Sequence, residues 1–196
     1  GPDGATHQAL EDIATMRVLP RMTVISPCDA TQTKIAAVKA ILEQDGPVYI
    51  RFGREPMPDF TDENQEFVIG KGQIMKDGAD ICIIATGHEV WESLEAAKRL
   101  ELDGKSVMVV NMHTIKPLDE DLLLDLANRF SIIYTVEEHQ IIGGLGSAVA
   151  EFLSEHRPVK IVRIGINDEF GESGRADELM CHFKLDAEGI YSKLKT

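Results

Sequence analysis

The sequence predicts an α/β fold: a mainly parallel sheet in residues 80–196, preceded by a smaller α/β unit in residues 1–55 and a linker in residues 56–79. Two observations support this prediction. Short apolar, β-branched segments recur along the chain, and segments with apolar residues at helical spacing lie between them. Strands that alternate with helices typically form parallel sheets covered on both faces.

The first unit contains one β-α-β element behind a helix predicted at about residues 8–18. Its strands are MTVISP (22–27) and PVYIRF (47–52), and the helix between them begins near Asp29 or Thr31, either of which is a suitable N-cap. Two strands and two helices are too few to bury a parallel sheet. We therefore expect this unit to be the back part of a domain that is truncated or that a partner chain completes.

The linker prediction rests on a high content of glycine, proline and acidic residues, with one strand-like patch around Phe67–Ile69. From residue 80 the pattern becomes regular. The predicted strands are DICIIATG, SVMVVNM, SIIYTVE and VKIVRIGI, and a helical segment separates each from the next. This second unit has enough elements to form a complete domain.

Composition excludes several classes of function. The 196 residues are 43% hydrophobic and 27% charged, with a net charge of −13, so binding driven by nucleic acid phosphates is not expected. No apolar run is long enough to cross a bilayer, and no signal peptide is recognisable. The three cysteines are scattered without metal-ligand spacing, which predicts a reduced, cytoplasmic chain without a metal site of its own.

Four polar residues are candidates for a ligand site. His7 and Asp3 lie in the glycine-containing loop GPDGATHQ, which leads into a predicted helix whose N-terminus favours negative charge. Arg51 and Arg54 follow a predicted strand, where open α/β sheets bind ligands, and arginine suits a phosphate. The alternatives are a solvated turn for the loop, and surface ion pairs with Asp59 or Glu55 for the arginines.

Other motifs indicate structure rather than chemistry. GGLG (143–146) lacks the spacing of a dinucleotide-binding loop and favours a close-packed start of a helix. The acid/base cluster Glu137, Glu138 and His139 is interpreted as a hydrogen-bonded structural turn. The remaining histidines show no mutual ligand spacing and are interpreted as surface or structural residues: His88, His113, His156 and His182.

The stretch GPDGATHQALEDIATMRVLPRMTVISPCDA resembles the transketolase family, in which a G-x-D-G-x-T-H-Q loop leads into a helix, a strand and a P-x-D turn. TIKPLD, TVEEH, GGLGSAVAEFL and GINDEFGESG are similar to the C-terminal domain of the same family, in the same order. The resemblance covers nearly the whole chain. It implies the end of a pyrimidine-binding domain followed by the C-terminal domain, as in the C-terminal subunit of a split transketolase or in a fragment of a longer chain.

The resemblance also implies roles for three residues. Asp3 matches the aspartate that binds a sugar hydroxyl beside the reacting carbonyl, and His7 matches the histidine that contacts sugar hydroxyls and assists proton transfer. Arg54 matches the arginine that grips the sugar phosphate, whereas Arg51 corresponds to a variable position. The implied activity is the transfer of a two-carbon ketol unit from a ketose phosphate to an aldose phosphate in the pentose phosphate pathway.

The implied cofactors of the intact enzyme are thiamine diphosphate and Mg²⁺ or Ca²⁺. No cofactor-binding residue of the family matches this chain, because the activating glutamate and the aromatic residues lie upstream of GPDG and the diphosphate site belongs to another domain. We therefore expect the isolated chain to bind no cofactor and to be inactive. The expected partners are an N-terminal transketolase region or subunit, in a homodimer or heterotetramer.

Three other functions remain open. 1-Deoxyxylulose-5-phosphate synthase shares the D-G-x-T-H-Q loop and an arginine pair after the strand, although GREPMP and NDEFGESG favour transketolase. The β subunit of a 2-oxo acid dehydrogenase fits Arg54 and the THQ motif less well. The third reading is a non-catalytic module, in which the C-terminal domain only supports dimerisation or a regulatory contact.

Overall fold

A computed structural model describes residues 1–195 and confirms the α/β prediction. The first unit begins with a 3₁₀ turn at Ala5–His7. Its further elements, in chain order, are α1 (Asp12–Arg17), β1 (Thr23–Ile25), α2 (Ala30–Glu43) and β2 (Val48–Ile50). The remaining elements are β3 (Gln73–Lys76), β4 (Ile81–Ala85), α3 (Glu89–Leu102), β5 (Val107–Asn111), β6 (Thr114–Lys116), α4 (Glu120–Arg129), β7 (Ile132–Gln140), α5 (Leu145–His156), β8 (Lys160–Ile166), α6 (Ala176–His182) and α7 (Ala187–Leu194).

The larger sheet has the strand order β3-β5-β4-β7-β8. All of its neighbouring strands are parallel except β3, which pairs antiparallel with β5 at one edge. Alternate residues of β4 point to opposite faces, so that Cys82 and Ile84 join one buried cluster while Ile83 and Ala85 join the other. Both faces are thus covered, as the apolar strands predicted.

The smaller sheet includes one strand from the second unit. β1 pairs parallel with β2 and antiparallel with β6, a strand that belongs to the second half of the chain. The first unit also joins the core of the larger sheet, because Ile13 and Val24 are fully buried in the cluster that contains Met108 and Leu126. The two units therefore pack against each other through shared apolar contacts.

Several boundaries differ from the sequence-based expectations. α1 begins at Asp12 rather than at about residue 8, since Ala9 adopts a left-handed backbone with φ 49° that a helix does not tolerate. The patch Phe67–Ile69 is not a strand; Phe67 is buried against Ile25, and the strand of this region is β3. Asp29 rather than Thr31 caps α2, accepting a hydrogen bond from the backbone N–H of Gln32.

Candidate functional site

The loop that carries Asp3 and His7 is held against residues 171–173. Gly4 has φ 81°, and a Cβ at this position would lie 2.6 Å from the Ser173 hydroxyl oxygen, so only glycine fits. Gln8 donates a hydrogen bond from Nε2 to the Glu172 carbonyl, at 2.7 Å. His7 therefore lies in a 3₁₀ turn rather than at the start of an α-helix, and the expected helix N-terminus is not what positions it.

Arg51 forms a buried connection between elements. Its side chain is only 13% exposed; Nε lies 3.3 Å from Asp12 Oδ2, and Nη2 donates to the Glu138 carbonyl at 2.8 Å. The Tyr49 hydroxyl donates to the same Asp12 oxygen at 2.6 Å, and burial followed by this carboxylate raises the pKa of Tyr49 to about 12. Arg51 therefore links β2 to α1 and β7.

Arg54, three residues further along, is available to a ligand. Its side chain is 76% exposed and forms an ion pair with Asp3. The His7 ring is exposed as well, with Nδ1 2.9 Å from the Thr6 hydroxyl. The alternative in which the arginines pair with Asp59 or Glu55 does not hold, because Arg51 faces Asp12, Arg54 pairs with Asp3, and Asp59 accepts hydrogen bonds from Thr31.

Asp3, His7 and Arg54 all line one cavity of about 750 Å³, which we call the larger cavity. Such a volume is typical of small-molecule sites. The second unit gives part of its lining an apolar wall, which consists of Ile166, Leu179, Met180, Phe183 and Leu185. The structure thus brings together the three residues that the sequence nominated, and it adds a wall that the sequence did not predict.

An acidic group lines the opposite side. Glu92 lies in the cavity wall with Oε1 3.3 Å from His88 Nε2, and Glu138 lines the cavity beside it. Behind them Glu89 is fully buried, and neither of its carboxylate oxygens has a hydrogen-bond partner within residues 1–195. Burial, followed by the charges of Glu138 and Glu92, raises the pKa of Glu89 well above its ordinary value.

The GGLG segment (143–146) binds one of the protein's own carboxylates. Glu137 accepts hydrogen bonds from the backbone N–H groups of Leu145 (2.6 Å) and Gly146 (2.8 Å), at the N-terminus of α5. A Cβ on Gly144 would lie 1.9 Å from Glu137 Oε2. The prediction of a close-packed helix start is therefore confirmed, although Glu137 and His139 belong to strand β7 rather than to a turn.

The described part of the chain, residues 1–195, contains no group of three or more His, Cys, Asp or Glu side chains arranged to hold a metal ion. His113 is buried and stacks on Phe67 with ring centroids 4.0 Å apart, and burial lowers its pKa to about 4. This histidine is structural. Within the same residues, none of the helices combines the length and apolar character required to span a bilayer.

Two family models match the chain: the pyrimidine binding domain of transketolase over residues 1–59, and the C-terminal domain of transketolase over residues 70–190. A putative transketolase C-terminal section of Methanocaldococcus jannaschii is 47% identical over 99% of this chain and 61% of its own length. The 6-deoxy-6-sulfo-D-fructose transketolase subunit SqwH of a Clostridium species is 45% identical over 96% of this chain and 58% of its own length. The chain thus spans about three fifths of these relatives.

The likeness extends to a synthase and to solved structures. A 1-deoxy-D-xylulose-5-phosphate synthase of Geobacter metallireducens is 39% identical over the whole chain, which matches 32% of that protein. A structure described as a split gene transketolase, inactive beta4 tetramer, has a TM-score of 0.92 and 46% identity, covering 98% of this chain and 63% of the other. The transketolase of Campylobacter jejuni, at 24% identity and a TM-score of 0.79, shows the same fold.

Proposed function

The chain belongs to the transketolase family, and we propose that it is the C-terminal part of an enzyme that transfers a two-carbon ketol unit from a ketose phosphate to an aldose phosphate. The observation that carries the proposal is the convergence of Asp3, His7 and Arg54 on the larger cavity. The likeness to relatives named as transketolase sections and subunits supports the reaction class.

In this proposal Arg54 binds the sugar phosphate, because an exposed guanidinium makes paired, charge-assisted hydrogen bonds to phosphate oxygens. Asp3 accepts a hydrogen bond from a sugar hydroxyl, and His7 contacts hydroxyls and moves a proton. The Arg54–Asp3 ion pair holds the two side chains on one side of the cavity before the sugar binds. A bound phosphate then competes with Asp3 for Arg54, which leaves the carboxylate free to accept from a hydroxyl.

Enzymes of the transketolase family use thiamine diphosphate with a divalent metal. The described residues alone do not form a binding site for thiamine diphosphate and its metal. Residues 1–195 form no acidic or histidine cluster for the metal, and Arg51 is engaged with Asp12, which leaves Arg54 as the cation already assigned to the sugar phosphate. We therefore propose that the cofactor is held by a partner region and that this chain supplies sugar-binding side chains and the apolar wall.

The proposed partner is the N-terminal region or subunit of a split transketolase, in a homodimer or heterotetramer in the cytoplasm. Its support is the likeness to a C-terminal section and to a transketolase subunit, each matched over about three fifths of its length. Calorimetry tests whether the cofactor site lies on the partner rather than on this chain. The chain alone is expected to release no heat of thiamine diphosphate binding, and a micromolar affinity would contradict this placement.

The test of the reaction uses the chain assembled with the N-terminal section of a split relative. Ketol transfer from a ketose phosphate to an aldose phosphate is the expected activity. Consumption of pyruvate with glyceraldehyde 3-phosphate would instead assign the synthase reaction, the second candidate that the 39% identity to such an enzyme favours. An assembly with neither activity, or with activity that does not require this chain, would favour a non-catalytic module.

Variants then test the assigned roles. Arg54→Gln is expected to lower kcat/KM for a phosphorylated donor about 10- to 100-fold, the usual effect of losing a charge-assisted hydrogen bond. For a donor without phosphate, kcat/KM should change little. Arg157→Gln is the matched control, because this exposed arginine bonds Asn128 outside the cavity. Equal losses of kcat/KM with the phosphorylated and the unphosphorylated donor would refute the phosphate role of Arg54.

His7→Asn is expected to lower kcat about 10²-fold or more, whereas His156→Asn is its neutral control.

A further inference from the structure

A second cavity, of about 440 Å³, lies at the C-terminal end of β8; we call it the smaller cavity. Its wall is formed by residues of β8, of the segment after β7 and of the turn between α6 and α7. Ile166 and Phe183 line both cavities and therefore form a partition between them. Neither the sequence motifs nor the proposed reaction uses this second space.

The smaller cavity carries positive charge in an acidic protein. Three basic side chains line it (Arg163, Lys184 and Lys193), against one carboxylate, that of Glu169. His182 adds a fourth basic group that is charged when protonated. The chain as a whole has a net charge of −13, so this concentration of cations opposes the charge of the whole molecule.

The fold fixes the backbone of Lys184 and the side chain of Arg163. Lys184 adopts a left-handed backbone with φ 57°, which is costly for a residue with a side chain. α7 encloses that backbone closely, because a Cβ on Gly189 would lie 2.5 Å from the Lys184 Cα. Arg163 is oriented by hydrogen bonds from Nη1 to the Ile141 carbonyl (2.7 Å) and the Ser147 hydroxyl (3.3 Å).

The two lysines act on each other. Lys193 is half-buried, and its pKa is lowered, first by burial and then by the charge of Lys184, while the buried Glu89 acts in the opposite direction. Two like charges in one cavity repel each other, and an anion placed between them would stabilise both.

We propose that the smaller cavity binds a small metabolite that carries a phosphate monoester, with Arg163, Lys184 and Lys193 as its anion-binding side chains. The volume suits a small molecule, and Ile141, Ile166 and Phe183 give the non-phosphate part an apolar surface. Glu169 can accept a hydrogen bond from a ligand hydroxyl. This proposal does not depend on the reaction catalysed at the larger cavity.

Inorganic phosphate is the probe, titrated at constant ionic strength against chloride and followed by amide NMR shifts. The chain carries Arg54→Gln throughout, so that phosphate in the larger cavity does not contribute. Saturable shifts are expected around residues 163–169 and 182–184. Lys184→Asn should weaken binding about tenfold or more, since asparagine tolerates the left-handed backbone but lacks the charge. Lys98→Gln, an exposed lysine on α3 outside the cavity, should leave the affinity unchanged.

Three results would overturn the proposal: no saturable shift, a shift that chloride reproduces, or an affinity that Lys184→Asn leaves unaltered. Unchanged amide shifts far from the cavity show that this variant is folded. If it is not folded, Lys193→Met decides in the same way, because methionine keeps the volume of the stem and removes the charge.

Discussion

Replacing Glu137 with glutamine is expected to remove a large part of the pH dependence of this chain's stability. The carboxylate is fully buried, and the pKa of Glu137 is raised from its ordinary value of 4.5 to about 7 because burial outweighs the two hydrogen bonds from Leu145 and Gly146. The folded chain therefore holds this proton at pH values where the unfolded chain has released it. The stabilisation is complete below about pH 4.5 and is lost as the pH rises through about 7.

The size of the effect follows from the two pKa values. A difference between 4.5 and about 7 corresponds to about 3 kcal/mol in the free energy of unfolding, and most of it lies between pH 5 and pH 8. Glutamine at this position cannot ionise and keeps one acceptor oxygen. The variant should therefore gain about 2–3 kcal/mol relative to the wild type as the pH rises from about 5 to about 8.

Urea denaturation followed by circular dichroism, at several pH values across this window, measures the difference. Glu120→Gln is the matched control, because the Glu120 carboxylate likewise lies at a helix N-terminus, in the first turn of α4, but is exposed to solvent. Its difference from the wild type should stay constant with pH. The reasoning would be refuted if the difference in the free energy of unfolding between Glu137→Gln and the wild type stayed constant with pH, or if the wild type became more stable relative to the variant as the pH rises. Either result would show that the hydrogen bonds at the helix N-terminus balance or outweigh the effect of burial.

Two other outcomes are expected. Asp29→Ala should lower the free energy of unfolding by at least about 3 kcal/mol, because the buried Asp29 carboxylate accepts three hydrogen bonds from backbone N–H groups and one from a hydroxyl. Asp186→Ala is the control; its carboxylate accepts one hydrogen bond from a backbone N–H, and the variant should lose about 1 kcal/mol. Similar losses for the two variants in chemical denaturation would contradict this ranking. A thiol reagent should modify the exposed Cys181 in the native protein and leave Cys28 and Cys82 unmodified, because both of these are buried and burial raises the pKa of each thiol. Mass spectrometry identifies the modified cysteine. Rapid modification of Cys82 would contradict the prediction and show that the core opens.

Local sequence patterns were sufficient for the elements whose side chains repeat with a clear period. β4, β5, β7 and β8 are apolar runs in a parallel sheet, and the helices between them have apolar faces. β3 was not predicted because it is a short edge strand that contains Gln73 and Lys76 and leaves Ile74 half exposed. β6 was missed because three residues carry no period and its partner, β1, lies about ninety residues earlier in the chain.

The candidate site was predictable only in part, for a related reason. Asp3, His7 and Arg54 lie within short motifs that a family resemblance can identify, and the structure places all three in one cavity. The buried role of Arg51 depends on partners far away in the sequence, Asp12 and Glu138, which no local pattern connects. The cations of the smaller cavity are likewise spread over about thirty residues and meet only where the turn between α6 and α7 and the side chain of Lys193 line the same space as the end of β8.

These contacts explain why the second unit matters to the larger cavity. Arg51 directly follows β2 and reaches the carbonyl of Glu138 on β7, so the chain that continues toward Arg54 leaves from a point fixed by both units. The loop of Asp3 rests in turn on residues 171–173, after β8. Because the second unit supports both partners of the Arg54–Asp3 pair and also contributes an apolar wall, it helps to build the larger cavity rather than forming only an adjoining domain.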